Sequence, residues 1–255
     1  MALTKVTGQG IGSIDTEGTI KLDGNYPTGS GNVALGNTAL DDGSLSGANN
    51  TAIGSGALTV NTSGASNVAV GANALDANTT ASNNTAIGFD ALTDNTTGSE
   101  NVAIGMYGLA NNTTATNNFA GGYNALGANT TGASNVGIGH RTLQSNTTGA
   151  ENVAVGAFSL DANTSGSNNV AVGRNALSGN TTAANNTAVG DSALFSNTTG
   201  AGNTAVGEGA LIANTTGASN IGIGDNALAS NTTASANIAI GLNAGDAITT
   251  SPANT

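Results

Sequence analysis

The chain of 255 residues contains no cysteine, and only 3% of its residues are aromatic and 7% charged. Without cysteine the chain can form neither a disulfide nor a thiolate metal site, and its redox compartment is not revealed. The scarcity of aromatic rings excludes a thick globular core. His140 is the only histidine, which excludes a histidine cluster. The isolated Ser and Asp residues form no catalytic constellation, so we predict that the chain is not an enzyme.

Basic residues are also few, and the net charge is −11. An acidic surface repels nucleic-acid backbones and anionic membranes, so we expect neither as a partner. No apolar run reaches the ~18 residues that a membrane span requires. The opening residues Met1 to Lys5 lack the apolar core of a secretory signal, and no cofactor motif is present. We therefore expect no membrane insertion and no cofactor.

An internal repeat of 17 residues is what the chain does contain. Each copy opens with an Asn, and the first step, from Asn32 to Asn50, is 18 residues long. A strict repeat of this length is typical of solenoids and arrays, in which each unit packs on its neighbours. The thirteen opening residues are Asn32, Asn50, Asn67, Asn84, Asn101, Asn118, Asn135, Asn152, Asn169, Asn186, Asn203, Asn220 and Asn237.

Counted from the opening Asn as position 0, the repeat indicates short strands and tight turns. Positions +1 and +3 are mostly Val, Thr or Ile, position +2 is Ala or Gly, and position +4 is always Gly. Alternation of this kind has the period of a β-strand, and the units lack helix formers and caps. Glycine at +4 would supply a positive φ or a close backbone approach at a corner. We predict an all-β parallel solenoid of about thirteen coils, with Asn ladders along its side.

One repeat indicates the direction in which the side chains point. Phe119 stands at +1 in the one copy whose +3 residue is Gly121, which suggests that these two positions share one crowded space. We therefore predict that +1, +3 and the Leu at +8 point inward. The Ala column at +2 would then point outward and serve as an oligomer interface. Its members are Ala69, Ala86, Ala103, Ala120, Ala154, Ala171, Ala188 and Ala205.

Both ends depart from the repeat. Residues 1–31 alternate like strands around Thr4 to Thr7 and Thr19 to Leu22, and we interpret them as a cap or attachment segment that covers the end of the sheet. Residues 32–255 form the repeat domain. Because Asn254 and Thr255 begin a further unit, we expect that the sequence is cut off within a repeat.

The most variable columns, +5 and +6, are the candidate binding surface. Variation within a repeat marks the exposed face, and aromatic and Arg side chains are frequent at binding hot spots. The alternative is that these side chains fill grooves between neighbouring chains. The residues concerned are Phe89, Met106, Tyr107, Tyr123, His140, Arg141 and Phe158.

Three carboxylates occupy position +5 in successive units. Asp191, Glu208 and Asp225 would stack about 4.8 Å apart. A hard cation such as Ca²⁺ could bridge them, or they could form a solvated acidic stripe.

The Asn-Thr-Thr segment at +11 to +13 has three interpretations. Each copy fits a glycosylation sequon, although no secretory signal is visible. Each could be a polar turn, with Asn in the left-handed conformation and Thr hydroxyls bonded to the backbone. The Thr column could instead be a flat ice-binding face. That column contains Thr79, Thr96, Thr113, Thr130, Thr147, Thr164, Thr181, Thr198, Thr215 and Thr232.

The repeats Asn67-Val-Ala-Val-Gly71, Asn101-Val-Ala-Ile-Gly105 and Asn237-Ile-Ala-Ile-Gly241 resemble those of trimeric autotransporter adhesin heads. The longer pattern from Asn203 to Gly217 is similar to repeats in bacteriophage tail fibres, and the first seven residues are similar to the starts of marine phage structural proteins. The resemblance implies a left-handed parallel β-roll assembled as a trimer.

From the resemblance we expect a structural and adhesive fibre segment, located in a virion or on an extracellular surface. A cell-surface molecule or glycan is the expected receptor. This unit is longer than the adhesin-head repeat. The alternative function is a monomeric ice-binding solenoid.

Overall fold

Each repeat contributes one three-residue strand to a single parallel sheet. The computed structural model describes residues 30–250, and in that range every strand pairs with the strand of the next repeat, in chain order. The thirteen strands are β1 (Val33–Leu35), β2 (Thr51–Ile53), β3 (Val68–Val70), β4 (Thr85–Ile87), β5 (Val102–Ile104), β6 (Phe119–Gly121), β7 (Val136–Ile138), β8 (Val153–Val155), β9 (Val170–Val172), β10 (Thr187–Val189), β11 (Thr204–Val206), β12 (Ile221–Ile223) and β13 (Ile238–Ile240).

The predicted all-β parallel solenoid is therefore confirmed. Equivalent residues are aligned across each pair of strands, so that Val136 pairs with Val153 and Ile138 with Val155. Residues 30–250 contain no helix, and so none that could cross a membrane. The interpretation of residues 1–31 as a cap falls almost entirely outside the described residues, as do Asn254 and Thr255.

Glycine at +4 ends each strand, and it has both the positive φ and the close backbone approach that the sequence predicts. Gly88 has a φ of +140°, and a Cβ atom on it would lie 2.6 Å from the carbonyl oxygen of Gly105 in the next coil. No side chain is compatible with a backbone contact that close. The chain turns at this glycine and leaves the sheet.

The leucine at +8 is buried at some conformational cost. Leu126, for example, has a φ of +54° and no exposed surface. The left-handed conformation costs a non-glycine residue roughly 1–2 kcal/mol. Complete burial of a leucine side chain contributes about 1.5–3 kcal/mol, which offsets that cost. The inward direction predicted for this column is confirmed.

The prediction that +1 and +3 point inward is wrong. The +2 column faces the core: Ala120 and Ala154 have no exposed surface, whereas Ile104 and Ile138 at +3 are 43% and 42% exposed. A Cβ atom on Gly137, at +2, would lie 3.4 Å from Cδ1 of Leu126 in the preceding coil. The leucine thus fills the space against the +2 column, and the interior is too narrow for two further columns of β-branched side chains.

Two ladders of buried Asn side chains stabilise the coils. At position 0, the backbone N–H of Asn152 donates to Oδ1 of Asn135 (3.0 Å). At position +11, Nδ2 of Asn146 donates to Oδ1 of Asn129 (2.8 Å) and to the carbonyl of Gly149 (2.9 Å). Side-chain amides satisfy buried backbone groups in most coils, as the predicted Asn ladders require, whereas Nδ2 of Asn186 is buried without a hydrogen-bond partner.

The last coil departs from this pattern. Gly245 stands where the other coils carry leucine, and Ile248 stands at the position of the second Asn. Ile248 packs against the core. Ile248 carries no amide, so the ladder ends at Asn231. Oδ1 of Asn231 is therefore buried without a hydrogen-bond partner.

Candidate functional site

Five of the predicted binding residues form a continuous row of contacting rings along the solenoid, which we call the aromatic ladder: Phe89, Tyr107, Tyr123, His140 and Phe158. Successive ring centroids lie 5.7, 6.1, 5.3 and 5.2 Å apart. Each ring comes from a different coil, because the column at +5 and +6 advances by one coil spacing per repeat. The structure thus brings these sequence-predicted residues together.

The geometry within the aromatic ladder is mixed. Tyr123 and His140 are stacked with their planes 16° apart, whereas the contacts of Phe89 and Phe158 are edge-to-face. Both arrangements suit the quadrupoles of aromatic rings, and each contact contributes about 0.5–1.5 kcal/mol beyond surface burial. The ladder therefore stabilises the coils while Phe89 and Tyr123 remain 44% and 38% exposed.

Met106 and Arg141 border the aromatic ladder. Met106 is 41% exposed, and Arg141 is exposed with a φ of +56°. The backbone N–H of Arg141 donates to the carbonyl of Tyr123 (2.9 Å), which fixes the turn. All seven predicted binding residues thus belong to one surface, although Tyr107 and Phe158 are only partly exposed.

The outer surface of the sheet is a second candidate site, and sequence reasoning missed it. We call the side chains at +1 and +3 of β1 to β13 the sheet face. It is composed of Val, Ile and Thr with one Leu, one Phe and one Gly, and Val170 and Val172 are 36% and 37% exposed. The strand alternation already separated these columns from the Ala column. Only the assignment of the inward side was wrong.

The Ala column cannot be an oligomer interface. Ala69, Ala86, Ala103, Ala120, Ala154, Ala171, Ala188 and Ala205 all have no exposed surface, because each faces the leucine column inside its own chain. No partner chain can contact them without unfolding the coil. The hydrophobic surface available to a partner is the sheet face on the opposite side of the same strands.

Phe119 and Gly121 interrupt the sheet face. A Cβ atom on Gly121 would lie 3.3 Å from Cε1 of Phe119 and 3.9 Å from the Ile138 side chain. The phenyl ring therefore covers the space that an Ile or Val fills in other coils. The predicted sharing of one space by the two positions is confirmed, but the space is on the outside of the solenoid.

The three carboxylates at +5 do not form a metal site. Within residues 30–250 no group of three acidic or histidine side chains could hold a metal ion. Asp191 instead accepts two hydrogen bonds from the guanidinium group of Arg174 in the preceding coil, one from Nε (3.1 Å) and one from a terminal nitrogen, Nη2 (2.8 Å). The hydroxyl of Ser192 and, to a lesser degree, the guanidinium of Arg174 lower the pKa of Asp191 below its ordinary value. The suggested cation bridging Asp191, Glu208 and Asp225 is thus not supported.

The Thr column at +12 uses its hydroxyl groups within the chain. Oγ1 of Thr147 donates to the carbonyl of Thr164 (2.9 Å), and Oγ1 of Thr130 donates to that of Thr147 (3.0 Å). The predicted bonding of Thr hydroxyls to the backbone is confirmed. The predicted left-handed Asn at +11 is wrong: the left-handed residues are those at +6, +8 and +16, for example Asn175, Leu177 and Asn185.

Comparisons with protein-family models, with curated proteins and with solved structures find no match for this chain. The resemblance to adhesin heads and tail fibres therefore stays a prediction, and the function rests on the two outer surfaces.

Proposed function

We propose that the protein is a structural and adhesive fibre segment, in which several copies pack through the sheet face and present the aromatic ladder to a receptor. The observation that carries this proposal is the largely aliphatic surface that runs along all thirteen strands. Thirteen strands at about 4.8 Å spacing and three residues in width give a surface of about 60 Å by about 10 Å. Exposed apolar stripes of that extent mark interaction sites.

The area of the sheet face is close to what a stable assembly needs. It amounts to on the order of 600 Å² per chain, from the strand spacing and rise. Standard protein interfaces bury about 800 Å² per partner. Rotational symmetry about an axis parallel to the solenoid would cover this face in every copy. The resemblance to trimeric adhesin heads favours three copies.

Such an assembly leaves the aromatic ladder accessible. The chain turns at the glycine of position +4, between the sheet face at +1 to +3 and the ladder at +5 and +6. Covering the sheet face therefore does not cover Phe89 or Tyr123. The aromatic ladder has one basic neighbour, Arg141, and the chain as a whole is acidic. Such a surface suits a receptor without strong negative charge, such as a neutral glycan chain. A virion fibre or an extracellular surface is the corresponding location.

Mass in solution tests the assembly. Light scattering on a size-exclusion column should give about three times the chain mass of 24.2 kDa. A monodisperse monomer at micromolar concentration would contradict the proposal. A receptor test would follow, in which the Tyr123→Ala variant loses retention on neutral polysaccharides while Phe195→Ala, an exposed ring outside the ladder, keeps it. Equal retention of both variants would exclude the ladder as the adhesive surface.

Ice binding has less support. The hydroxyl groups of the Thr column donate to backbone carbonyls of the next coil, so they are not free to order water in the way an ice-binding face requires. Thermal hysteresis of the purified protein, lost on substitution of Thr130, Thr147 and Thr198 by bulky residues, would favour this alternative over the fibre.

A further inference from the structure

The sheet face alone cannot fix how two copies are aligned along their length. Its side chains repeat every coil, so a shift of one copy by one coil, about 4.8 Å, brings Val or Ile against Val or Ile again. In β8 and β9, for example, the outward residues are all valine. Uniform faces specify register weakly, and a defined assembly needs a feature that distinguishes one level from the next.

Among the thirteen strands of residues 30–250, only β6 carries such a feature. It has the one phenyl ring at +1 and the one glycine at +3, and Phe119 is 36% exposed. The ring lies 3.3 Å from the place where a Cβ atom of Gly121 would be. At every other level the +3 position is filled by Ile, Val or Leu. Room for a phenyl ring on this face therefore exists at one level only.

We propose that the partner of the sheet face is a second copy of this chain in parallel orientation, and that Phe119 and Gly121 set the register of the copies. This inference rests on the assembly described under Proposed function. A partner with the same axial repeat, about 4.8 Å, matches the ridges of the face along its whole length, and a second copy of this chain has that repeat over all thirteen strands.

Rotational symmetry about an axis parallel to the solenoid gives the register a steric basis. In a two-fold or three-fold arrangement of this kind, the +1 column of one copy approaches the +3 column of the next at the same level. Since the ring of Phe119 covers Gly121 of its own chain, the Phe119 rings of neighbouring copies then contact each other at this level. A shift by one coil would separate the two rings and bring each of them against Ile104 or Ile138 of the neighbour, so the aromatic contact between copies would be lost.

Cysteine cross-linking tests the register, since the chain contains no cysteine of its own. The level reporter carries Val170→Cys and Val172→Cys, both on β9, and detects copies aligned at the same level. The offset reporter carries Val170→Cys and Val189→Cys, and detects copies shifted by one coil, because Val189 lies one coil further on β10. Covalent links between chains are scored on a non-reducing gel. In the parent background we expect the level reporter to cross-link several-fold more than the offset reporter.

The double variant Phe119→Val with Gly121→Ile gives β6 the residues of the other strands. We expect it to keep the parent mass while the offset reporter rises to the yield of the level reporter. Moving the pair one coil along, by adding Val136→Phe and Ile138→Gly, should restore the preference for the level reporter. This fourfold variant also shows that the loss comes from register and not from a damaged fold.

The outcomes are distinguishable. A monomeric parent protein would overturn the assembly itself, and the register inference with it. An oligomer of parent mass in which the double variant still favours the level reporter would overturn only the role of Phe119 and Gly121. Mixing chains that carry the pair in β6 with chains that carry it in β7 should favour the offset reporter between them; equal yields of both reporters would also contradict the inference.

Discussion

The imidazole of His140 stacks on the phenol ring of Tyr123, with the ring centroids 5.3 Å apart and the planes within 16° of parallel. The two residues are 17 apart in sequence and occupy the same position in consecutive coils. The repeat thus turns a one-dimensional spacing into a surface of contacting rings. The side chains that stabilise the stack are also those of the proposed binding surface.

Removal of Tyr123 should lower stability, because its ring contacts both Tyr107 and His140. We expect Tyr123→Ala to reduce the free energy of unfolding by about 1–3 kcal/mol, from two aromatic contacts of about 0.5–1.5 kcal/mol each. Thermal and urea unfolding followed by circular dichroism would measure it. Phe195→Ala is the control, since Phe195 is 41% exposed and lies outside the aromatic ladder. An equal loss in both variants would argue against a special contribution of the ladder.

Enlargement of the Ala column should be poorly tolerated. Ala171 has no exposed surface, so Ala171→Leu is expected to cost about 1–3 kcal/mol through overpacking against the leucine column. The matched control is Ala157→Leu at position +5, a column that already carries Phe89 and Leu242. Urea unfolding compares the two. If Ala171→Leu were neutral, the inward direction of the Ala column would be wrong.

The amide ladder should not accept a carboxylate. Asn146 has no exposed surface, and its Nδ2 donates to Asn129 and to Gly149. Asn146→Asp replaces this donor by an acceptor that faces two other oxygens, so we expect a loss of more than about 3 kcal/mol near neutral pH. Asn168→Asp introduces the same charge at an exposed left-handed position and should change stability little. Comparable melting temperatures for the two variants would contradict the structural role of the ladder.

Acid should weaken one contact between coils. The pKa of Asp191 is lowered below its ordinary value of 3.8, chiefly by the hydroxyl of Ser192 and further by Arg174. A carboxyl group whose pKa is lower in the folded state stabilises the fold above its unfolded pKa, and this stabilisation is lost as pH falls through the folded pKa. We expect a small effect, because Arg174 is 64% exposed and exposed ion pairs contribute little.

Melting curves between pH 2 and pH 7 would measure this dependence. Asp191→Asn should flatten the acid limb of the curve relative to the parent protein, whereas Asp225→Asn, which removes a carboxylate of the same column two coils away, should leave the Asp191 contribution in place. If the melting temperatures of the parent protein and of Asp191→Asn changed with pH in the same way, the contact with Arg174 would not contribute to stability in solution.

The sequence by itself determined the number and phase of the coils. The opening Asn and the invariant glycine at +4 fix where each strand begins and ends, because only glycine tolerates the φ and the close approach seen at Gly88. It also determined the contact between Phe119 and Gly121, since residues two apart on a strand lie on the same side. The clustering of the aromatic ladder followed from the repeat length in the same way.

Only the tertiary structure decided which side of the strand faces the core. Alternation separates the Ala column from the Val and Ile columns, but the pattern is the same whichever is inside. The choice depends on the cross-section of a 17-residue coil, whose narrow interior is already filled by one leucine per coil, such as Leu126 against Gly137. Alanine is the side chain that fits the remaining space. The larger aliphatic residues are therefore left on the outside, where they form the surface through which we propose that the copies associate.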